Sequence, residues 1–179
     1  GTLGIVSTKC RLEEGMTVLR NALSLSPQDL NLLLNATHFA AQAKDWKQAE
    51  DYCRKAIQRA PRDLFPRLLL GRLLSQQGDH EQALLVFRDL TRSFPENPLV
   101  QEAIGYSFLA KEQLSEALTA WARAQEFIPK WAAPSSRSAL DLSYRLQKAR
   151  SGVAEAFLNK GQADQAMAMY EQLLKDYPN

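Results

Sequence analysis

At 179 residues the chain has room for one ordinary domain or one array of repeats, and 45% apolar with 23% charged residues describes a folded chain rather than a disordered one. A formal net charge of +2, with both signs mixed along the sequence, offers no basic face to nucleic acid or an anionic membrane, and no window approaches the roughly 18 apolar residues of a membrane span. Two cysteines, Cys10 and Cys53, are too few for a disulfide framework and leave cytoplasmic and periplasmic localisation open; the residues after Gly1 show no charged n-region followed by an apolar h-region, so no targeting signal is expected among them.

The first apolar stretch, LGIVSTKC (3–10), predicts the second half of a helix that turns near Cys10. LEEGMTVLRNALSLSP follows as a helix ending at Pro27, with Glu13 and Glu14 placed to meet the positive end of its dipole. DWKQAEDYCRKAIQRAP (45–61) is again an amphipathic segment that stops at a proline, which cannot continue a helix. Its apolar face carries the small residues Ala49, Cys53 and Ala56, so a second helix must come close. DHEQALLVFRDLTRSFP closes at Pro95, QLSEALTAWARAQEFIP at Pro129 and QADQAMAMYEQLLKDYP at Pro178, giving proline spacings of 34, 34, 34 and 49. Twelve residues before each proline sit Gly15, Ala49, Ala83, Ala117 and Ala166. Four residues further on come Leu19, Cys53, Phe87, Trp121 and Tyr170. Gly71 and Gly105 hold one upstream position, with Thr37 and Ala154 at the matching places, and Gly78-Asp79 and Gly161-Gln162 predict interhelix turns.

The spacing of 49 puts about 15 extra residues into KWAAPSSRSALDLSYRLQKAR (130–150). WAAPSS reads as a loop, and Ser138 followed by Asp141 as a capping box that starts a helix running to Lys160. The lengthened helix is expected either to protrude or to let the loop fold over a neighbouring groove, with Trp131 as the anchor of an insertion contact. The plainer alternative is a neutral insertion, which loops tolerate well.

LGRLL (70–74) with ALLVF (83–87) and Pro95, and IGYSF (104–108) with ALTAW (117–121) and Pro129, resemble the tetratricopeptide repeat, a 34-residue helix-turn-helix unit. The family's tryptophan is replaced by Leu33, Arg67, Gln101 and Arg150. The resemblance covers almost the whole chain. It implies an all-α fold, a right-handed superhelical solenoid with no sheet and at most ten helices. The units would be a partial first repeat at 1–29 (the second half of helix A plus helix B), repeats at 30–63, 64–97 and 98–131, and a final repeat at 132–179 that holds the insertion, all in one solenoid domain. The half-repeat at the start suggests an array cut from a longer protein, and open ends exposing Leu3, Ile5, Val6, Met167, Tyr170 and Leu174 suggest self-association.

The side chains offer no catalytic chemistry to expect. Neither His38 nor His80 has a partner at metal-ligand spacing, and no phosphate-binding glycine motif is present. His80 reads as a solvated turn residue and Cys53 as a packing residue. The expectation is therefore a non-enzyme with no cofactor and no metal. In the family, the concave face is lined by helix A; carried over residue by residue, this implies a protein-binding groove formed by Asn31, Asn35, His38, Gln42, Phe65, Leu69, Arg72, Gln76, Glu102 and Tyr106. The family's carboxylate clamp is missing, since Leu34, His38, Leu69, Leu99 and Ala103 stand at its places, and only Asn35 fits an asparagine ladder. Amides mixed with apolar groups favour an extended peptide or a partner helix, and neither nucleic acid nor direct membrane insertion. The leading reading is an interaction scaffold within a larger assembly, with bacterial secretion, pilus or exopolysaccharide machines as the analogy. The alternatives are a regulatory or recruiting segment of a larger enzyme, and a self-association spacer.

Overall fold

The computed structural model describes the backbone of residues 2–176 and the side-chain surroundings of residues 13–176. Among these residues there are nine helices and no strand: α1 (Thr2–Leu25), α2 (Leu30–Gln42), α3 (Trp46–Arg59), α4 (Leu64–Gln76), α5 (His80–Ser93), α6 (Pro98–Ala110), α7 (Leu114–Trp131), α8 (Arg137–Asn159) and α9 (Ala163–Asp176). The all-α array of hairpins expected from the period is present. The chain divides into two compact units, Gly1–Leu90 and Thr91–Asn179.

One turn recurs four times. Residues 43–45, 77–79, 111–113 and 160–162 join the helices of each hairpin. The middle residue is always left-handed: Lys44 (φ 59°), Gly78 (φ 90°), Glu112 (φ 58°) and Gly161 (φ 74°). The residue after it closes the turn by donating its N–H back to a carbonyl five residues earlier: Asp45 to Ala40, Asp79 to Leu74, Gln113 to Phe108 and Gln162 to Phe157, all between 2.9 and 3.0 Å. This satisfies carbonyls that a helix end otherwise leaves without partners. Asp45 and Asp79 then cap the second helix, accepting from the N–H of Gln48 and Gln82 at 3.1 Å.

Glycine holds the left-handed position in two of the four turns. Lys44 and Glu112 are exposed there and bear the Cβ strain that glycine escapes, about 1–2 kcal/mol per residue. Lys44→Gly and Glu112→Gly should each raise stability by about 0.5–1 kcal/mol, after the entropy of the unfolded glycine is subtracted. Chemical denaturation of the single variants checks this, and a loss of stability at both positions would contradict it.

In the first unit, α1 packs on α2, α2 on α3, and α3 on α4. Met16, Ala40, Ala49 and Leu73 form its core, with Leu19, Phe39, Trp46 and Tyr52 against them. Ala49, Cys53 and Ala56 are fully buried, as are Ala83, Phe87 and Leu90 on α5. A Cβ on Gly71 would overlap the Phe87 ring, which is why glycine stands there. In the second unit, α6 packs on α7, α7 on α8, and α8 on α9. Trp121 is fully buried over Gly105, where a Cβ would again meet the ring, and its indole N–H donates to the Glu102 carbonyl at 3.2 Å.

Four expectations need correction. The turn near Cys10 does not form: α1 is continuous from Thr2 to Leu25, and TKCRLEE contains no glycine, proline or asparagine to break it. Pro129 does not end its helix. Pro27, Pro61 and Pro95 lie two residues beyond α1, α3 and α5, but α7 continues through Pro129 to Trp131. The cap of α8 is Ser136, whose Oγ accepts from the Ala139 N–H at 3.2 Å, rather than Ser138. His80 is half-buried at the start of α5 instead of solvated in a turn. Pro178 and the side chains of Leu3, Ile5, Val6 and Cys10 lie outside the described residues.

The insertion adds helical turns that pack into the second unit's cluster. It lengthens α7 to 18 residues and α8 to 23, against 14 and 13 in the preceding repeat-type helices α5 and α6. The added turns carry Ile128, Ala139, Leu142 and Leu146, which are buried with Ala117, Trp121 and Ala124 in one cluster. Full burial of each leucine contributes roughly 1.5–3 kcal/mol, enough to hold the extra turns in place.

Candidate protein-binding surface

Each first helix of a hairpin has one face in the core and one outside. On α2, Leu33, Ala36, Thr37 and Ala40 are buried, while Asn31, Asn35, His38 and Gln42 are exposed. Their spacing of four, three and four residues makes a single stripe. Three of the four carry carboxamides, with acceptors and donors both available. His38 and Gln42 already meet, Nε2 to Nε2 at 2.8 Å, so the C-terminal end of the stripe is partly ordered before any partner arrives. On α4 the corresponding stripe is Phe65, Leu69, Arg72 and Gln76. Phe65 is 60% exposed, Leu69 is half-buried, and Arg72 and Gln76 are exposed. Both stripes lie within the first unit; the one on α2 is polar throughout, and the one on α4 runs from apolar at Phe65 and Leu69 to polar at Arg72 and Gln76.

The second unit treats its predicted residues differently. Tyr106 is partly exposed, its ring edge-on to Trp121 with centroids 5.3 Å apart. Glu102 is 2% exposed and is removed from the surface by an ion pair: Arg145 Nε donates to Oε1 at 2.7 Å and Nη2 to Oε2 at 3.3 Å. The hydrogen bond to Glu102 raises the pKa of the Arg145 guanidinium. Leu34 and Leu68 occupy the same place in the preceding repeats, and sequence spacing alone gave no sign that an acid there would be buried. Trp131 is half-buried against the core cluster of the second unit and serves packing. Arg150, at the place of the family tryptophan, is buried with Nη1 2.6 Å from Asp176 Oδ2.

In the last repeat the family pattern turns Lys148, Gly152, Glu155 and Leu158 toward the groove, and the inserted turns extend their face. On α8 the buried residues Ala139, Leu142, Leu146, Arg150 and Val153 leave the opposite side with Leu140, Tyr144, Lys148, Gly152, Glu155 and Leu158, spaced by four, four, four, three and three. Glycine in the middle of an exposed helix costs about 1 kcal/mol relative to alanine. Unlike Gly71 and Gly105, Gly152 has no atom of the described residues within contact range of a Cβ.

Among the described residues, the buried Cys53 thiol has no hydrogen bond to a base that would activate it as a nucleophile. Burial pushes the Cys53 thiol up to about 12, and its Sγ–H donates to the Pro66 carbonyl at 3.4 Å. Among the described residues no three His, Cys, Asp or Glu side chains are grouped to hold a metal ion, and no helix is long and apolar enough to cross a membrane.

Two family models, both described as tetratricopeptide repeat, match residues 40–105 and 152–179. Among solved structures, MamA 41-end from Desulfovibrio magneticus RS-1 is similar, with a TM-score of 0.63 at 16% identity over 95% of this chain and 90% of that one. TTC0263, a thermophilic TPR protein of Thermus thermophilus, gives 0.64 at 21% identity over 99% and 90%. Yeast Tom70 gives 0.61 at 18% identity over 92% of this chain and 39% of that one. At these identities the likeness is one of fold. No curated protein sequence matches the chain.

Proposed function

The chain belongs to the tetratricopeptide repeat family, and from that premise we propose that it is a non-enzymatic scaffold whose first unit holds an extended segment of another protein. One observation supports the reading: Asn31, Asn35 and Gln42 are exposed on α2, and Phe65 and Gln76 are exposed on α4 with Leu69 half-buried between them. An extended peptide brings backbone N–H and C=O groups that must be satisfied as it leaves water. Carboxamides supply both donors and acceptors for them, and the apolar neighbours take alternate side chains. With no clamp of lysines and arginines, binding should depend only weakly on salt. A role as one part of a larger bacterial assembly, of the secretion, pilus or exopolysaccharide type, extends this reading, and so does service as the recruiting segment of a larger enzyme.

A library of proline-containing peptides, held extended, provides the test. The expected result is a set of selected sequences whose affinity falls several-fold with Asn35→Ala and with Arg72→Ala, at unchanged melting temperature. Selection of no peptide, or indifference of the selected ones to both substitutions, would remove the reading. Self-association is a second reading, favoured by Met167 and Leu174, both more than half exposed on α9. Sedimentation across concentration decides it.

A further inference from the structure

We propose that the pocket between α7 and α9 of the second unit binds a small organic carboxylate with an apolar body, and that Asp176 at the end of α9 competes with it for Arg150. The site is independent of the peptide reading above.

The pocket has a volume of about 360 Å³, which falls within the range of small-molecule sites. Its walls are the second helices of two successive hairpins, so it lies apart from the first-helix faces described above. Leu118 and Ala122 of α7 and Ala168 and Met169 of α9 give it an apolar lining. A break in the repeat pattern explains the space. In the three earlier hairpins an arginine follows the position of Leu19, Cys53 and Phe87, namely Arg20, Arg54 and Arg88. In the fourth, Ala122 follows Trp121, and no long side chain is there to lie across the gap.

The cation comes from α8. Arg150 lines the same pocket, and its side chain is 8% exposed. A guanidinium out of water needs an anion and acceptors for its donors. Asp176 supplies these incompletely. Its Oδ2 lies 2.6 Å from Nη1, yet Nη1 makes no hydrogen bond among the described residues, so the contact is close in distance and poor in angle. Oδ1 is held elsewhere, accepting from Gln172 Nε2 at 2.8 Å. Asp176 is also the last residue of α9, where the negative end of the helix dipole opposes a carboxylate. A carboxylate from outside can lie in the plane of the guanidinium and accept from two of its N–H groups. Asp176, with its side chain already 26% exposed, then turns to water. The four apolar lining residues select an acid whose body is aryl or alkyl, because a polar body would lose its water there. A phenyl ring can meet the Met169 thioether favourably.

The probe is phenylbutyrate, titrated into the full chain with its methionine methyl groups isotopically labelled for NMR. The Met169 resonance should shift and saturate, while that of Met16, in the first unit, stays in place. The neutral phenylbutyramide should move neither. Asp176→Asn should strengthen binding of the acid by at least about tenfold, because it removes a competitor present at high effective concentration. Arg150→Met should abolish binding. Should that variant fold poorly, Ala122→Phe tests the same site from an exposed position: it fills the pocket, and should abolish binding with the melting temperature nearly unchanged. The proposal is overturned by equal binding of the amide, by unchanged or weaker affinity in Asp176→Asn, or by normal binding in Ala122→Phe. Preference for a peptide ending in phenylalanine over the free acid also overturns it, because the occupant is then the end of a protein chain.

Discussion

Replacing Trp121 by alanine should destabilise the second unit by roughly 3–5 kcal/mol, the largest loss expected from any single truncation in this chain. The indole is completely buried among Ala117, Ala124, Leu142 and Leu146, and its N–H donates to the Glu102 carbonyl. Truncation leaves a cavity that helices crossing at fixed positions cannot close, and also leaves that carbonyl without its partner. The effect is tied to Gly105 beneath the ring. Gly105→Ala alone should cost about 1–3 kcal/mol, since its Cβ would overlap the indole. In the Trp121→Ala background the same substitution should become neutral or favourable. Denaturant melts of the two single variants and the double variant measure this coupling directly. Additive losses would show that the glycine and the tryptophan are independent.

A second large effect is expected at the ion pair between Glu102 and Arg145. Arg145→Ala removes the guanidinium that meets a carboxylate of 2% exposure. Breaking a buried pair in this way costs about 3–5 kcal/mol, and about 2 kcal/mol is the fitting figure here because the arginine side chain is 47% exposed and already half screened. Glu102→Leu should be nearly neutral, because it restores the residue type of Leu34 and Leu68 and lets Arg145 return to water. The double variant should match Glu102→Leu. If Arg145→Ala proves as stable as the parent, the pair has no structural role, and the inserted turns are held by Leu142 and Leu146 alone.

These two sites show what could be read from the chain and what could not. The hairpins were legible because helix ends are local events. A proline, a left-handed glycine and an aspartate cap each act within a few residues, so a 34-residue period in such signals is a period in structure. Gly71 and Gly105 were legible as close approaches because the large partner, Phe87 or Trp121, recurs at a fixed distance along the sequence. Glu102 was not, since its partner lies 43 residues away in the insertion, where the period no longer applies. The start of α8 was misplaced by two residues for a different reason. In SSRSALD several serines can cap equally well locally, and the burial of Ala139 and Leu142 selects Ser136. Pro129 resisted reading because the burial of Ile128 on the added turns outweighs the one hydrogen bond that a proline removes near a helix end.

The three-residue turns also bear on how quickly this molecule is made. Within each unit the helix pairs with the most extensive packing are neighbours in the chain, and the Glu102–Arg145 pair reaches only from α6 to α8. The relative contact order is correspondingly low, and no long loop has to close before a hairpin gains its contacts. Each hairpin can form as a local event and the next can add to it. Such a chain can begin to fold while later repeats are still being synthesised, and a defect in one repeat should slow its own hairpin while leaving those already formed intact.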